Sequence, residues 1–214
     1  EAWFLRARAV RVLAGPAAAR DVLAAADRLR PMSGAAARLR AEVSAEAGDA
    51  ASAERLFAAH GGVDVAALRS LLGAAERSGD DASLTAYALR LIAAAGSGSD
   101  AASAADRTRG LRGLLRSHAA AGSDAAKALV KAHFGAAGTP PISGGGAAAV
   151  DADELFAAAV FWARAGDLAE AEATLARALV ADPRHGAVLA FAAEHRALAG
   201  DSGAARAILR RGLA

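Results

Sequence analysis

The stretch DADELFAAAVFWARAGDLAEAEATLARALVADPR, residues 151–184, decides the architecture. Asp151 opens it as a helix-capping residue, and Glu154 three residues later completes a box-like start. Leu155, Ala158, Ala159 and Trp162 recur at spacings of three and four, which puts them on one helical face. Gly166 ends that helix and Asp167 opens the next. Ala171, Leu175 and Ala178 make the stripe of this second helix, which Pro183 stops. Neither helix is long enough to persist alone, so the two are expected to pair antiparallel and bury both stripes.

The same punctuation recurs outward from this unit. Gly166 and Gly200, each inside an Ala-Gly-Asp tripeptide, lie 34 residues apart. Gly15, Gly48 and Gly79 are separated by 33 and 31, and Gly122 stands between the two sets. After 184 the pattern returns as Leu189, Ala192, Ala193, Gly200, Ala205 and Leu209, departing where Arg196 and Gly212 stand. The N-terminal unit carries it as Trp3, Ala7, Val10, Gly15, Ala19, Leu23, Ala26 and Pro31. The middle units are degenerate: Leu39, Val43, Ala53 and Phe57 around Gly48, and Leu68, Leu71, Leu72, Ala86 and Leu89 around Gly79. Around Gly122 come Leu111, Leu114, Leu115, Leu129 and Ala132.

Residues 151–184 resemble a tetratricopeptide repeat (TPR), whose pattern is a large residue, a small pair, an aromatic, then alanine, a bulky residue and a closing proline. Those places hold Leu155, Ala158 with Ala159, Trp162, Ala171, Leu175 and Pro183. The resemblance is strong over 151–214 and weak in the middle of the chain. It implies an all-α fold, a right-handed α-solenoid of about six helix-turn-helix repeats. Four repeats are expected over 1–134, a Gly/Pro/Ser linker over 135–150, and two repeats over 151–214. GSGSD at 96–100 lengthens the third connection. In the family's packing position, Trp3 and Trp162 are expected in the core.

Composition agrees with helices and with little else. Of 214 residues 69 are alanine, and the hydrophobic share is 55% with only 4% aromatic. Alanine is the best helix former and lets helices approach closely, whereas a sandwich or barrel draws on β-branched and aromatic residues. Lys+Arg number 25 against 23 Asp+Glu, a field too weak and too scattered for a general nucleic-acid binder. Lysine occurs only at 127 and 131. That arginine bias, with the alanine and glycine load, points to a GC-rich bacterial genome. The absence of cysteine suits the cytoplasm, ranked first, or the periplasm. The longest run without a charged residue, 132–150, contains Pro140, Pro141 and three consecutive glycines, so no membrane span is expected. A chain opening on Glu1 reads as a trimmed fragment, and its end at Ala214 without a polar capping helix reads as truncation or a missing partner surface; self-association through the uncapped ends is compatible with the scaffold reading.

No constellation reads as an active site, and the chain is expected not to be an enzyme. Histidines 60, 118, 133, 185 and 195 never pair at three or four residues on one helix, so neither metal nor cofactor is expected. His195 beside Glu194 and the others read as solvent-facing or helix-end residues. No GxSxG occurs, and Gly144-Gly145-Gly146 lacks the Lys-Ser/Thr of a phosphate loop. Asp49, Asp80, Asp167 and Asp201 follow inter-helix glycines and are expected to cap the second helices.

What remains is a surface. The resemblance implies that the first helix of each pair lines a concave wall where peptides bind. Its inner positions fall on Phe4, Arg8 and Arg11, then Arg38 and Glu42, then Arg69. Arg109, Arg112 and Arg116 follow, and finally Phe156, Val160 and Arg164. Such a groove would take an acidic protein or peptide segment, because guanidinium forks engage carboxylates bidentately. The chain is thus expected to be a protein–protein interaction scaffold, with Phe4 and Phe156 as apolar anchors. One alternative keeps the fold as a periplasmic segment of an envelope machine for polysaccharide export or pilus assembly. Another is a helical-repeat nucleic-acid binder using Arg109–Arg116, which weak net charge argues against.

Overall fold

The computed structural model describes residues 2–32, 34–96, 100–135 and 151–212. The described residues are all-helical and form two compact units, Glu1–Ser117 and His118–Ala214. The first holds α1 (Ala2–Leu29), α2 (Gly34–Glu46), α3 (Ala50–Ala59), α4 (Val65–Ser78), α5 (Asp81–Ala95) and α6 (Ala101–Arg116). The second holds α7 (His118–Ala121), α8 (Asp124–Phe134), α9 (Ala152–Arg164), α10 (Leu168–Ala181), α11 (Gly186–Leu198) and α12 (Ser202–Gly212). No described helix is long and apolar enough to cross a membrane.

The turns follow from a two-residue device. At Gly166 the chain enters the left-handed region (φ 77°), and the N–H of Asp167 reaches back to the carbonyl of Trp162 at 3.0 Å. That six-to-one bond closes α9. The carboxylate of Asp167 then accepts from the Glu170 N–H at 3.2 Å and opens α10. The same closure recurs at Gly48-Asp49, Gly79-Asp80 and Gly200-Asp201, whose aspartates accept from Ser52, Ser83 and Ala204. One dipeptide therefore ends one helix and starts its partner, and the expected caps are observed. Asp151 likewise accepts from Glu154 at 2.7 Å. His185 is a helix-end residue, its Nδ1 accepting from the Val188 N–H at the start of α11.

α1 is two helices in one. At Gly15 the backbone turns to φ 86°, ψ 174°, a conformation open to glycine alone, and Pro16 starts the second half. Ala7 before the break and Ala19 and Leu23 after it share one buried cluster with Leu39 and Val43 of α2. In the first unit α2 packs against α1, α3 and α4, and α4 against α5 and α6; in the second, α9 packs against α10 and α11, and α11 against α12. Helices with short connections reverse direction.

Alanine sets the interfaces. Ala37, Ala41, Ala74 and Ala75 in the first unit, and Ala158, Ala159, Ala171 and Ala178 in the second, are fully or almost fully buried. Larger side chains fill between them: Leu71, Leu72 and Leu91, and Phe161 set edge-on to the buried Trp162.

Several expected packing positions are corrected. Trp3 is 40% exposed beneath the Arg6 guanidinium, because its neighbour Phe4 packs on the Ala7–Leu23 cluster instead. In α5 the buried stripe is Leu84, Tyr87, Ala88, Leu91 and Ile92, so Ala86 is exposed and Leu89 only half-buried. In α8 it is Ala126, Val130 and Phe134 rather than Leu129 and Ala132. Leu209 is 47% exposed. At Gly212, where the pattern has alanine, a Cβ would lie 2.7 Å from Leu189 Cδ1. Around Gly122 the hairpin is replaced by the four-residue α7, and α8, grouped by sequence with the first block, packs on α9 in the second unit. The linker residues 136–150 and the serines at 97 and 99 lie outside the described residues.

Candidate partner-binding face

In the first unit the expected inner residues lie on the first half of α1 and on α2, α4 and α6, whose polar stripes alternate with buried ones. On α2, Arg38, Glu42 and Glu46 recur every four residues, while Ala37, Ala41 and Ala45 turn inward. On α4 Arg69 and Arg77 stand one turn either side of the buried Gly73, and Leu68, Leu71 and Leu72 are buried around the rest of the helix. On α6 the stripe is Asp106, Arg109 and Arg116.

Two concavities result. Phe4, Arg8 and Arg11 come together with Arg38, Leu39 and Glu42 around a groove of about 310 Å3. Arg8 lies over the Phe4 ring at 5.8 Å, so cation and ring face the same space. Arg69 and Arg109 meet across a second, of about 200 Å3, completed by Glu46, Ser70, Gly73 and Arg77. Ser70, Gly73 and Arg77 escaped the sequence analysis, although a glycine in a helix interior is a mark of close approach.

Most of the arginines expected to await an acidic partner already have one inside the fold. Arg11 of α1 binds Glu46 of α2. Arg38 bonds both oxygens of Asp64, the N-cap of α4, at 3.0 and 3.1 Å, and lies 3.5 Å from Glu42. Arg69 clasps Asp106 as a fork, Nε to Oδ1 at 2.6 Å and Nη2 to Oδ2 at 2.7 Å. Arg116 reaches Glu76 at 3.3 Å, and Arg77 donates to the Ala45 carbonyl at 2.8 Å. Each bond ties one helix to its neighbour. Asp106 is buried, and the Arg69 fork holds its carboxyl below the usual range against the opposing effect of burial. The N–H of Ala67 does the same for Asp64, with Arg38 adding to it.

Arg8 has no carboxylate partner among the described residues, and Arg109 forms no ion pair there but acts through space on Asp106. Arg112 is exposed, one turn before Arg116. In the second unit Phe156 is half-buried, edge-on to Phe191 at 5.7 Å and tilted to His185 at 6.1 Å, so it is committed to the α9–α11 packing. Val160 is half-buried and Arg164 exposed. His185 also bonds Asp153 at 2.8 Å. Among the described residues, His, Asp and Glu are nowhere gathered in threes that could hold a metal ion. No protein-family model matches the chain, and no curated protein is significantly similar to it.

Proposed function

We propose that the chain is a non-catalytic, TPR-like α-solenoid that binds an acidic segment of a partner protein along the inner helices of its first unit. The observation that carries this reading is the groove where Phe4, Arg8 and Arg38 converge: an apolar ring, a cation with no carboxylate partner among the described residues and a shallow concavity of about 310 Å3. The repeated Gly-Asp closures and the packing of α2 on α4 and α4 on α6 support the repeat architecture.

The test is fluorescence anisotropy of the whole chain with labelled peptides holding one phenylalanine among glutamates, lysines or serines. Glutamate peptides should bind best, and Arg8→Glu should weaken them at least tenfold without altering the melting curve. Equal binding of all three sets, or an unaffected Arg8→Glu variant, overturns the proposal. A single-stranded oligonucleotide in the same assay tests the nucleic-acid alternative, and tight salt-sensitive binding would favour it.

A further inference from the structure

The second concavity has a charge pattern that a carboxylate does not satisfy. Arg69 is matched by Asp106, and Glu46 by Arg11. Two cations remain. Arg77 contributes one donor to the Ala45 carbonyl, which carries no formal charge. Arg109 shares Asp106 with Arg69, acting on it through space rather than by a hydrogen bond, so two carboxylates face four guanidiniums here. Both guanidinium groups close on one point. A Cβ built on Gly73 would lie 3.4 Å from Arg77 Nη1 and 3.5 Å from Arg109 Nη2. Gly73 is buried beneath these two ends in the interior of α4, where alanine would favour the helix but would take up the point on which they close. Like charges held this close repel unless an anion sits between them.

We propose that the space over Gly73, between Arg77 and Arg109, is a binding site for a phosphomonoester dianion, presented by a phosphorylated side chain of the partner segment. The proposal rests on the reading of this face as a docking surface and names its ligand chemistry. A phosphomonoester carries close to two negative charges at neutral pH, matching the excess of cations left when Asp106 is shared between Arg69 and Arg109 and Glu46 is taken by Arg11. Its three terminal oxygens are tetrahedral and can face two non-parallel forks, whereas a planar carboxylate serves one fork bidentately. The Arg69–Asp106 fork beside the site holds α4 and α6, and with them Arg77 and Arg109, in place.

The experiment is calorimetric titration of the whole chain, at constant ionic strength in phosphate-free buffer. The probes are the pentapeptide acetyl-Gly-Ala-phosphoserine-Ala-Gly-amide, its O-sulfate analogue, its glutamate analogue and inorganic phosphate. The phosphopeptide should bind at least tenfold tighter than the singly charged sulfate and glutamate analogues, and tighter than inorganic phosphate. Its affinity should fall as pH drops through the second ionisation of the ester, near pH 6. Arg109→Gln and Gly73→Ala should each weaken it at least tenfold while the protein melts no lower than wild type. Equal affinity for the sulfate or glutamate analogue, or an undiminished Arg109→Gln variant, overturns the dianion site. Inorganic phosphate binding as tightly as the phosphopeptide overturns its assignment to a partner's side chain. The glutamate-rich peptides and the Arg8→Glu variant report on the other groove, so a failure here is separable from a failure of the docking surface as a whole.

Discussion

Two glycines within helices of the first unit should respond oppositely to the same substitution. Gly73 and Gly110 both lie inside helices, α4 and α6, and both would gain roughly 1 kcal/mol of helix propensity on becoming alanine. At Gly73 the new methyl meets only the guanidinium ends of Arg77 and Arg109, at 3.4 and 3.5 Å, and those ends can swing aside. At Gly110 it would lie 2.5 Å from Ile92 Cγ1 and 3.0 Å from the Ala88 carbonyl oxygen. Ile92 is β-branched and stiff at that atom, and a backbone oxygen moves only with its helix, so α6 must lift from α5. Overpacking of this kind costs about 1–3 kcal/mol, and contacts against a backbone and a branched carbon put it toward the upper end. Net of the propensity gain, Gly110→Ala should lose about 2 kcal/mol, a fall in Tm of roughly 8 °C for a unit of this size. Gly73→Ala should gain up to about 1 kcal/mol. Urea unfolding followed by far-ultraviolet circular dichroism measures both. Gly110→Ala as stable as Gly73→Ala would refute the close packing of α5 on α6.

Three further outcomes are expected. Ala159→Leu, at a fully buried position of α9, should cost roughly 1–3 kcal/mol by thermal melting. Tyr87 is the chain's single tyrosine, and burial, then its hydrogen bond to Glu54, pushes its pKa up to about 12 from 10.0. Phenolate absorbance should therefore titrate near the higher value and shift downward in Glu54→Gln, and because the folded pKa is the raised one, stability should be intact below pH 10 and fall from there toward pH 12. Arg69→Ala leaves the buried Asp106 carboxylate without its fork and should cost about 2 kcal/mol at neutral pH. Since Arg69 lowers the folded pKa of Asp106, its contribution is present above 3.8 and lost as pH falls through the depressed value, so wild type and variant should converge in acid.

Legibility followed the reach of the interactions. The Gly-Asp turns were readable because every bond in them spans at most five residues: Asp167 to Glu170, Asp167 to Trp162. The α9 and α10 stripes were readable because Trp162 and Leu175 leave one register that buries both. In α5 alanine occupies several phases, Ala86 as well as Ala88, so hydrophobic spacing alone did not choose between them, and the large residues Tyr87 and Leu91 decided. Trp3 and Phe4 are adjacent aromatics, and the stripe through Ala7 selects the second. The ion pairs on the candidate face were not legible. Arg69 meets Asp106 across 37 residues and Arg11 meets Glu46 across 35, separations no local pattern encodes.

Those long-range pairs change what the face can recognise. An arginine row without internal carboxylates would attract any acidic chain, with little selection. Here a carboxylate arriving at Arg69 must displace Asp106, which is buried and would lose its two bonds and its counter-charge together. Exchange of one carboxylate for another gains nothing there and exposes a desolvated charge. The paired arginines therefore act as ties between helices, and on the function proposed above recognition would fall to Arg8, Arg77 and Arg109, which form no ion pair among the described residues, although Arg109 acts through space on Asp106. Arg8 sits beside an aromatic ring, while Arg77 and Arg109 sit together over a glycine. A single cation beside a ring favours a carboxylate next to an apolar side chain; two converging cations favour a dianion. On that proposal, internal pairing would divide one basic stripe into two sites of different chemistry, and a segment presenting both groups at the matching spacing would be selected over one that is merely acidic.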